Sequence, residues 1–157
     1  MSAWDGPTLF CFDGSEGSRA ALGAAGRRLR PGPAVVLTVW ETVAQRVASH
    51  AFATAMQVEN EADLDAREEA AAKAAAEEGT RLAREHGWEA SARLALAETT
   101  VWSAIVGVAG ELDAGVIVCG TRGLSRVPRL VLGSVSNAVL HHAHRPVLIV
   151  PEEAESA

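Results

Sequence analysis

The sequence predicts an α/β protein with an open, mostly parallel sheet and helices on both faces. Two observations carry that prediction. Five short apolar runs punctuate the chain at 9–12, 34–39, 91–96, 116–119 and 147–150, and four are nearly continuous stretches of Val, Leu, Ile, Phe or Cys. Continuous runs of this length fit strands buried on both faces, because a strand with one wet face alternates instead. Four segments with helical signals separate the runs. The resulting β-α-β-α-β-α-β-α-β alternation is what parallel strands joined by crossover helices require.

Each element follows from local chemistry. After the first strand, 15–29 reads as a helix with Ser15 as its cap and Glu16 in its first turn, both favourable at a helix N-terminus. The stretch 41–58 has no clean period and is expected to be the flexible segment. Residues 59–86 form an Ala-rich run with Glu and Arg interspersed, stopped by Gly87. It reads as a long solvated helix with one packed face, since no heptad persists. The run 91–96 alternates, with Ala92, Leu94 and Leu96 set against Ser91, Arg93 and Ala95, and is expected near a sheet edge. Residues 99–112 space Val101, Ile105, Val108 and Leu112 along one helical stripe. A last helix runs from Gly133 to about His144, ended by Arg145-Pro146 before the final strand.

Composition bounds the function. The chain has 157 residues, 48% of them apolar and 22% charged, which suits one domain over 1–157 and excludes a largely disordered chain. Two cysteines exclude a disulfide scaffold. No apolar run is long enough to span a bilayer. Residues 1–8 lack the basic start and apolar stretch of a secretory leader, so a soluble, cytoplasmic protein is expected. A net charge of −6 argues against general nucleic-acid binding. The charge is uneven, however. Residues 59–69 carry six acids against one Arg, whereas no acid occurs between Gly120 and Pro151, where Arg122, Arg126, Arg129 and Arg145 lie. A locally basic third on an acidic protein points to a small anionic ligand.

Ligands of such sheets bind at the carboxyl ends of the strands, beside the switch in strand order. The turns after the first, second and fourth runs are therefore the places to look: Asp13-Gly14-Ser15, Val39-Trp40-Glu41 and Gly120-Thr121-Arg122-Gly123. The glycines at 120 and 123 let the backbone turn sharply and approach a ligand without a Cβ in the way. Further on, Gly133-Ser134-Val135-Ser136 opens a helix, aiming unpaired N–H groups, the positive dipole end and two hydroxyls at one spot. Together they can hold phosphate. The alternative is a Gly-rich turn followed by a Ser cap, with no ligand.

The spacing Gly120-x-x-Gly123-x9-Gly133-Ser134 resembles the ATP-binding motif of universal stress proteins. Residues 9–19 look like that family's first strand and Asp-Gly-Ser turn, and 133–150 is similar to its closing helix and strand. The resemblance covers about 8–151. It implies a Rossmann-like, five-stranded parallel sheet in the order 3-2-1-4-5, with an adenine nucleotide across the switch point. On this sequence it implies that the Val39 backbone meets adenine, that Asp13 sits near ribose, phosphates or their magnesium ion, and that Gly120 and Gly123 lie against the ribose and phosphate chain; the nearby Arg122, Arg126 and Arg129 add positive charge. It further implies that Gly133, Ser134, Val135 and Ser136 hold the phosphates through N–H groups and hydroxyls. ATP and Mg are thus the expected ligands of a regulatory module. The chain departs from the family at Gly115, where Asp is usual and where a looser start to the fourth strand is expected. It also lacks the usual Gly near Glu98-Thr99. A slow ATPase or phosphoryl-transfer enzyme is the rival reading, for which no base is identifiable and which needs more than a bound metal. A non-nucleotide interaction protein of the same fold is the third. Neither a Walker motif nor a strand-linked Gly-x-Gly-x-x-Gly is present.

Other residues have plainer readings. His141, His142 and His144 sit where a helix C-terminus favours them, and a metal site is the lesser alternative. Cys11 and Cys119 end strands that the implied order makes neighbours. They read as small buried hydrophobes, with a reversible disulfide as the alternative. Asp13 could serve only as a turn residue, and Trp40 could be core or a stacking platform. The final run, 146–151, is expected at an edge and to join two copies as a homodimer.

Overall fold

The computed structural model describes residues 4–49, 60–121 and 132–152. Its strands are β1 (Thr8–Cys11), β2 (Pro33–Trp40), β3 (Glu89–Leu96), β4 (Val116–Gly120) and β5 (Val147–Val150). All pair in parallel, in the order β3-β2-β1-β4-β5. The continuous apolar runs now have a physical cause, because successive side chains enter different cores. Leu9 and Ile117 join Ile105, Val108 and Val139 on one face, whereas Phe10, Phe12 and Val118 join Leu22, Ala83 and Trp88 on the other. Both faces of the central strands are dry, so neither alternates.

The helices are α1 (Glu16–Arg28), α2 (Val43–Ser49), α3 (Glu61–Glu85), α4 (Val101–Glu111) and α5 (Ser134–His142). Ser15 caps α1 by accepting from the Ser18 N–H. Gly87 ends the α3 turn at φ +86°, a backbone that favours glycine. α4 begins with a reciprocal capping box between Thr100 and Ser103. That box supplies the helix start which the missing glycine left in question.

Three expectations change. The stretch 41–58 is not uniformly irregular, since Val43–Ser49 is helical; residues 50–58 lie outside the described residues. α2 is held from a distance. The Val43 N–H donates to Asp65 Oδ1 at 2.7 Å and Arg46 pairs with Glu68 at 2.7 Å, contacts that local periodicity cannot report. In β3, Ala90 is the buried position, while Ala92 and Leu96 are exposed. Among the described residues the strand has a neighbour on one side only, so its burial fades outward. At Gly115 the chain is tight rather than loose. A Cβ there would lie 2.4 Å from the Trp4 carbonyl oxygen and 2.7 Å from that of Gly6, so residues 4–6 close over the start of β4.

Candidate functional site

β1 lies between β2 and β4, which places the switch in strand order at the carboxyl ends of β1 and β4. A cleft opens there, lined by Cys11, Phe12, Asp13, Leu37, Val39, Val101, Ile105, Cys119, Gly120, Val135 and Ser136. Most of its wall is apolar, and its polar groups gather on the β1, β4 and α5 sides. This is the kind of site that holds a flat, hydrophobic group and orients it by a few polar contacts.

β2 outruns β1. The Phe12 N–H donates to the Leu37 carbonyl at 2.9 Å, and the Thr38 hydroxyl donates to the Phe12 carbonyl at 2.6 Å. Beyond that point β1 turns away. Parallel strands point successive backbone pairs to opposite sides, so the Val39 N–H and C=O face the side of Leu37, past the end of β1. The Trp40 carbonyl is on the other side, accepting from Ala97 at 2.9 Å.

Asp13 does the turn's work and lines the cleft as well. One carboxylate oxygen accepts from the Ser15 N–H at 3.0 Å, and Gly14 follows at φ +79°. The two readings of Asp13 are compatible, because a carboxylate has a second oxygen to offer.

The α5 end differs in detail from expectation. Gly133 is the cap residue and supplies no side-chain bond, and its own N–H is spent on the Thr121 carbonyl at 2.7 Å. That bond ties together the two ends of the segment between them. The Ser136 hydroxyl donates to the Gly120 carbonyl at 2.7 Å, and Ser136 is buried. Its hydrogen therefore fastens α5 to β4 and is not available to a ligand. The first-turn N–H groups of Ser134, Val135 and Ser136 remain as donors with no side-chain cap, as helix geometry leaves them. Thr121 is the contributor that sequence reasoning missed, and its place beside Gly120 was the available signal.

Other candidates fall elsewhere. Arg122 and Gly123, like Arg126 and Arg129, lie outside the described residues. Arg145 belongs to the opposite end of the sheet. It donates to the Ala114 carbonyl at 2.6 Å, lies 3.7 Å from Asp113 and stacks over Trp4. It precedes β5, whereas the cleft lies past the strands' carboxyl ends, so it adds no charge to the cleft. His141 and His142 occupy the last turn of α5, and His142 stacks on Trp102 with centroids 4.5 Å apart. Among the described residues no group of three or more His, Cys, Asp or Glu gathers as a metal site, and no helix is long and apolar enough to cross a membrane.

Comparison with known proteins agrees with this architecture. The sequence profile of the universal stress protein family matches residues 7–151. A putative universal stress protein of Staphylococcus haemolyticus is 48% identical over 46 residues, a match spanning 29% of this chain and 28% of that protein. The solved structure of hypothetical protein MJ0577 superposes with a TM-score of 0.75 at 20% identity, covering 97% of this chain and 99% of that one. The universal stress protein of Archaeoglobus fulgidus, solved in complex with dAMP, superposes with a TM-score of 0.63 at 23% identity, over 93% and 98% of the two chains. At these identities the two structures speak to the fold.

Proposed function

This chain belongs to the universal stress protein family, and from that premise we propose that it is an ATP-binding member, a nucleotide-dependent regulatory module of one domain. The observation that carries the proposal is the convergence of three unrelated elements on one cleft: the backbone edge of β2 at Val39, past the end of β1, the Asp13 turn and the start of α5, which has no side-chain cap. In this reading adenine lies against the apolar wall and pairs with the Val39 backbone. Gly120 and Gly123 let the ribose and phosphate chain approach. The N–H groups of Ser134, Val135 and Ser136 then hold phosphate with the helix dipole behind them. Arg122 and Gly133 complete that loop, Arg122 by charge and Gly133 by closing the turn.

The donor set fits magnesium in a particular way. Mg²⁺ keeps several waters and takes one or two carboxylates plus phosphate oxygens. Asp13 is the one carboxylate among the described lining residues, so it would hold the ion jointly with the nucleotide. The ion, when bound, neutralises phosphate charge. Asp13 is thereby occupied and is not free to act as a base, which favours a binding module over a phosphoryl-transfer enzyme. The dAMP complex of the Archaeoglobus fulgidus protein supports an adenine nucleotide as the ligand class.

Calorimetric titration of nucleotide-stripped protein with Mg-ATP tests the reading. Saturable binding is expected, lost in Gly123→Val because a β-branched side chain fills the phosphate loop. Asp13→Ala should weaken binding more with magnesium than without. No binding at millimolar ATP overturns the nucleotide role, equal losses in both conditions overturn the metal role, and single-turnover hydrolysis decides whether ATP is consumed.

We also infer a cytoplasmic homodimer joined at 146–151, with no nucleic-acid partner. Among the described residues β5 is an edge strand paired with β4 alone, and its four residues are half-buried. An apolar edge with open backbone groups invites a second copy. Sedimentation at tens of micromolar should show a dimer, and a monomer at that concentration rules the joint out.

A further inference from the structure

Two thiols meet in the floor of the cleft. The β1–β4 register pairs Phe10 with Val118, and its next step sets Cys11 beside Cys119. The two sulfurs are 3.4 Å apart, with the Cys119 thiol donating to Cys11 Sγ. Both are free thiols, and both line the cleft. Neighbouring strands about 4.8 Å apart fall inside the Cα window for a disulfide, and an S–S bond of about 2.05 Å needs the sulfurs to close by side-chain rotation. Cys119 is buried and Cys11 half-buried, and the cleft that both line gives a path to the pair.

We propose that Cys11 and Cys119 are a redox couple, oxidised through the cleft by a peroxide to an intramolecular disulfide, and that the disulfide and a bound nucleotide exclude one another. The second half rests on the nucleotide reading above. One thiol, as its thiolate, attacks the peroxide O–O bond and becomes a sulfenic acid. The second sulfur attacks that sulfur and expels hydroxide, which takes up the released proton. In sum, two thiols and one hydrogen peroxide give one disulfide and two waters, with sulfur oxidised and peroxide oxygen reduced.

Exclusion follows from position. Cys119 directly precedes Gly120, whose carbonyl holds Ser136 of α5, and Cys11 is two residues from Asp13. A disulfide here redraws the cleft floor between those two polar walls, and a seated ligand covers the path of the oxidant. Coupling of this kind is reciprocal.

The experiment follows thiols and intact mass of the wild-type protein under hydrogen peroxide, with and without Mg-ATP. Without nucleotide both thiols should disappear together, with a mass loss of two hydrogens and no cross-linked dimer. At ATP a hundred times its Kd the open cleft falls to about one part in a hundred, so thiol loss should slow roughly 100-fold. Cys11→Ser should remove the concerted loss and leave Cys119 gaining oxygen instead. Persistent thiols, stepwise oxygen addition to the wild type, or ATP that binds by calorimetry without slowing the reaction would each overturn the proposal. If calorimetry shows no ATP binding, the nucleotide reading fails, while concerted thiol loss still supports the couple.

Discussion

Gly79→Val is expected to lower stability by about 3 kcal/mol, near the upper end for overpacking a dense core. Gly79 sits in the middle of α3, where glycine is a poor helix former, so propensity alone predicts that Val should help by a few tenths of a kcal/mol. Packing decides otherwise. A Cβ on Gly79 would lie 2.8 Å from both the Phe12 ring and Val36 Cγ1, and both neighbours are buried. Both are packed within the same core cluster, so neither can give way without disturbing its neighbours. With a urea m-value near 2 kcal/mol/M, the midpoint should fall by about 1.5 M. A midpoint that holds or rises would mean that α3 shifts freely over the sheet. The consequence reaches the cleft, since Phe12 lines it and immediately precedes Asp13. A Gly79→Ala variant that folds should therefore also bind nucleotide more weakly.

That glycine also shows how far the sequence could be read. The parallel sheet was legible because burial on both faces writes itself as continuous apolar runs, as in 9–12 and 116–119. The strand order was not legible from those runs, which say nothing about neighbours; it came from resemblance. α2 was missed because its ties, Val43 to Asp65 and Arg46 to Glu68, lie 22 residues away and leave no periodic trace. The tightness at Gly79 and at Gly115 is a property of what packs above them, which composition cannot show.

The cleft divides in the same way. Asp13, Val39, Gly120, Val135 and Ser136 were named from the sequence, and the structure brings them to one place. What sequence could not tell was how each polar group is spent. A serine at the third helical position reads as a hydroxyl offered to phosphate, yet its partner is the Gly120 carbonyl sixteen residues earlier. A glycine at the cap reads as an N–H offered to phosphate, yet it closes on Thr121. Such assignments depend on long-range partners, and the loop glycines that carry the family motif do not reveal them. Arg145 shows the complementary limit: it counts toward the basic third of the sequence, but the whole of β5 separates it from the cleft.

Ser134→Asp should separate folding from binding most sharply. Ser134 is exposed and opens α5, whose cap Gly133 gives no side-chain bond. A carboxylate in a first turn is favourable against the helix dipole by about 0.3–1 kcal/mol, so the variant should be slightly more stable than wild type in urea. Under the nucleotide reading the same carboxylate stands where phosphate would be held, and it competes for the same N–H groups. Two unit charges about 4 Å apart repel by about 4 kcal/mol at an effective dielectric constant of 20. A flexible side chain relieves part of that, which leaves a loss of roughly 100- to 1000-fold in ATP affinity. Ser134→Asn, which is uncharged and of similar size, should keep most of the binding, so bulk and charge are told apart. If Ser134→Asp binds ATP as tightly as wild type, the α5 terminus does not hold phosphate. The glycines at 120 and 133 would then serve the turn alone.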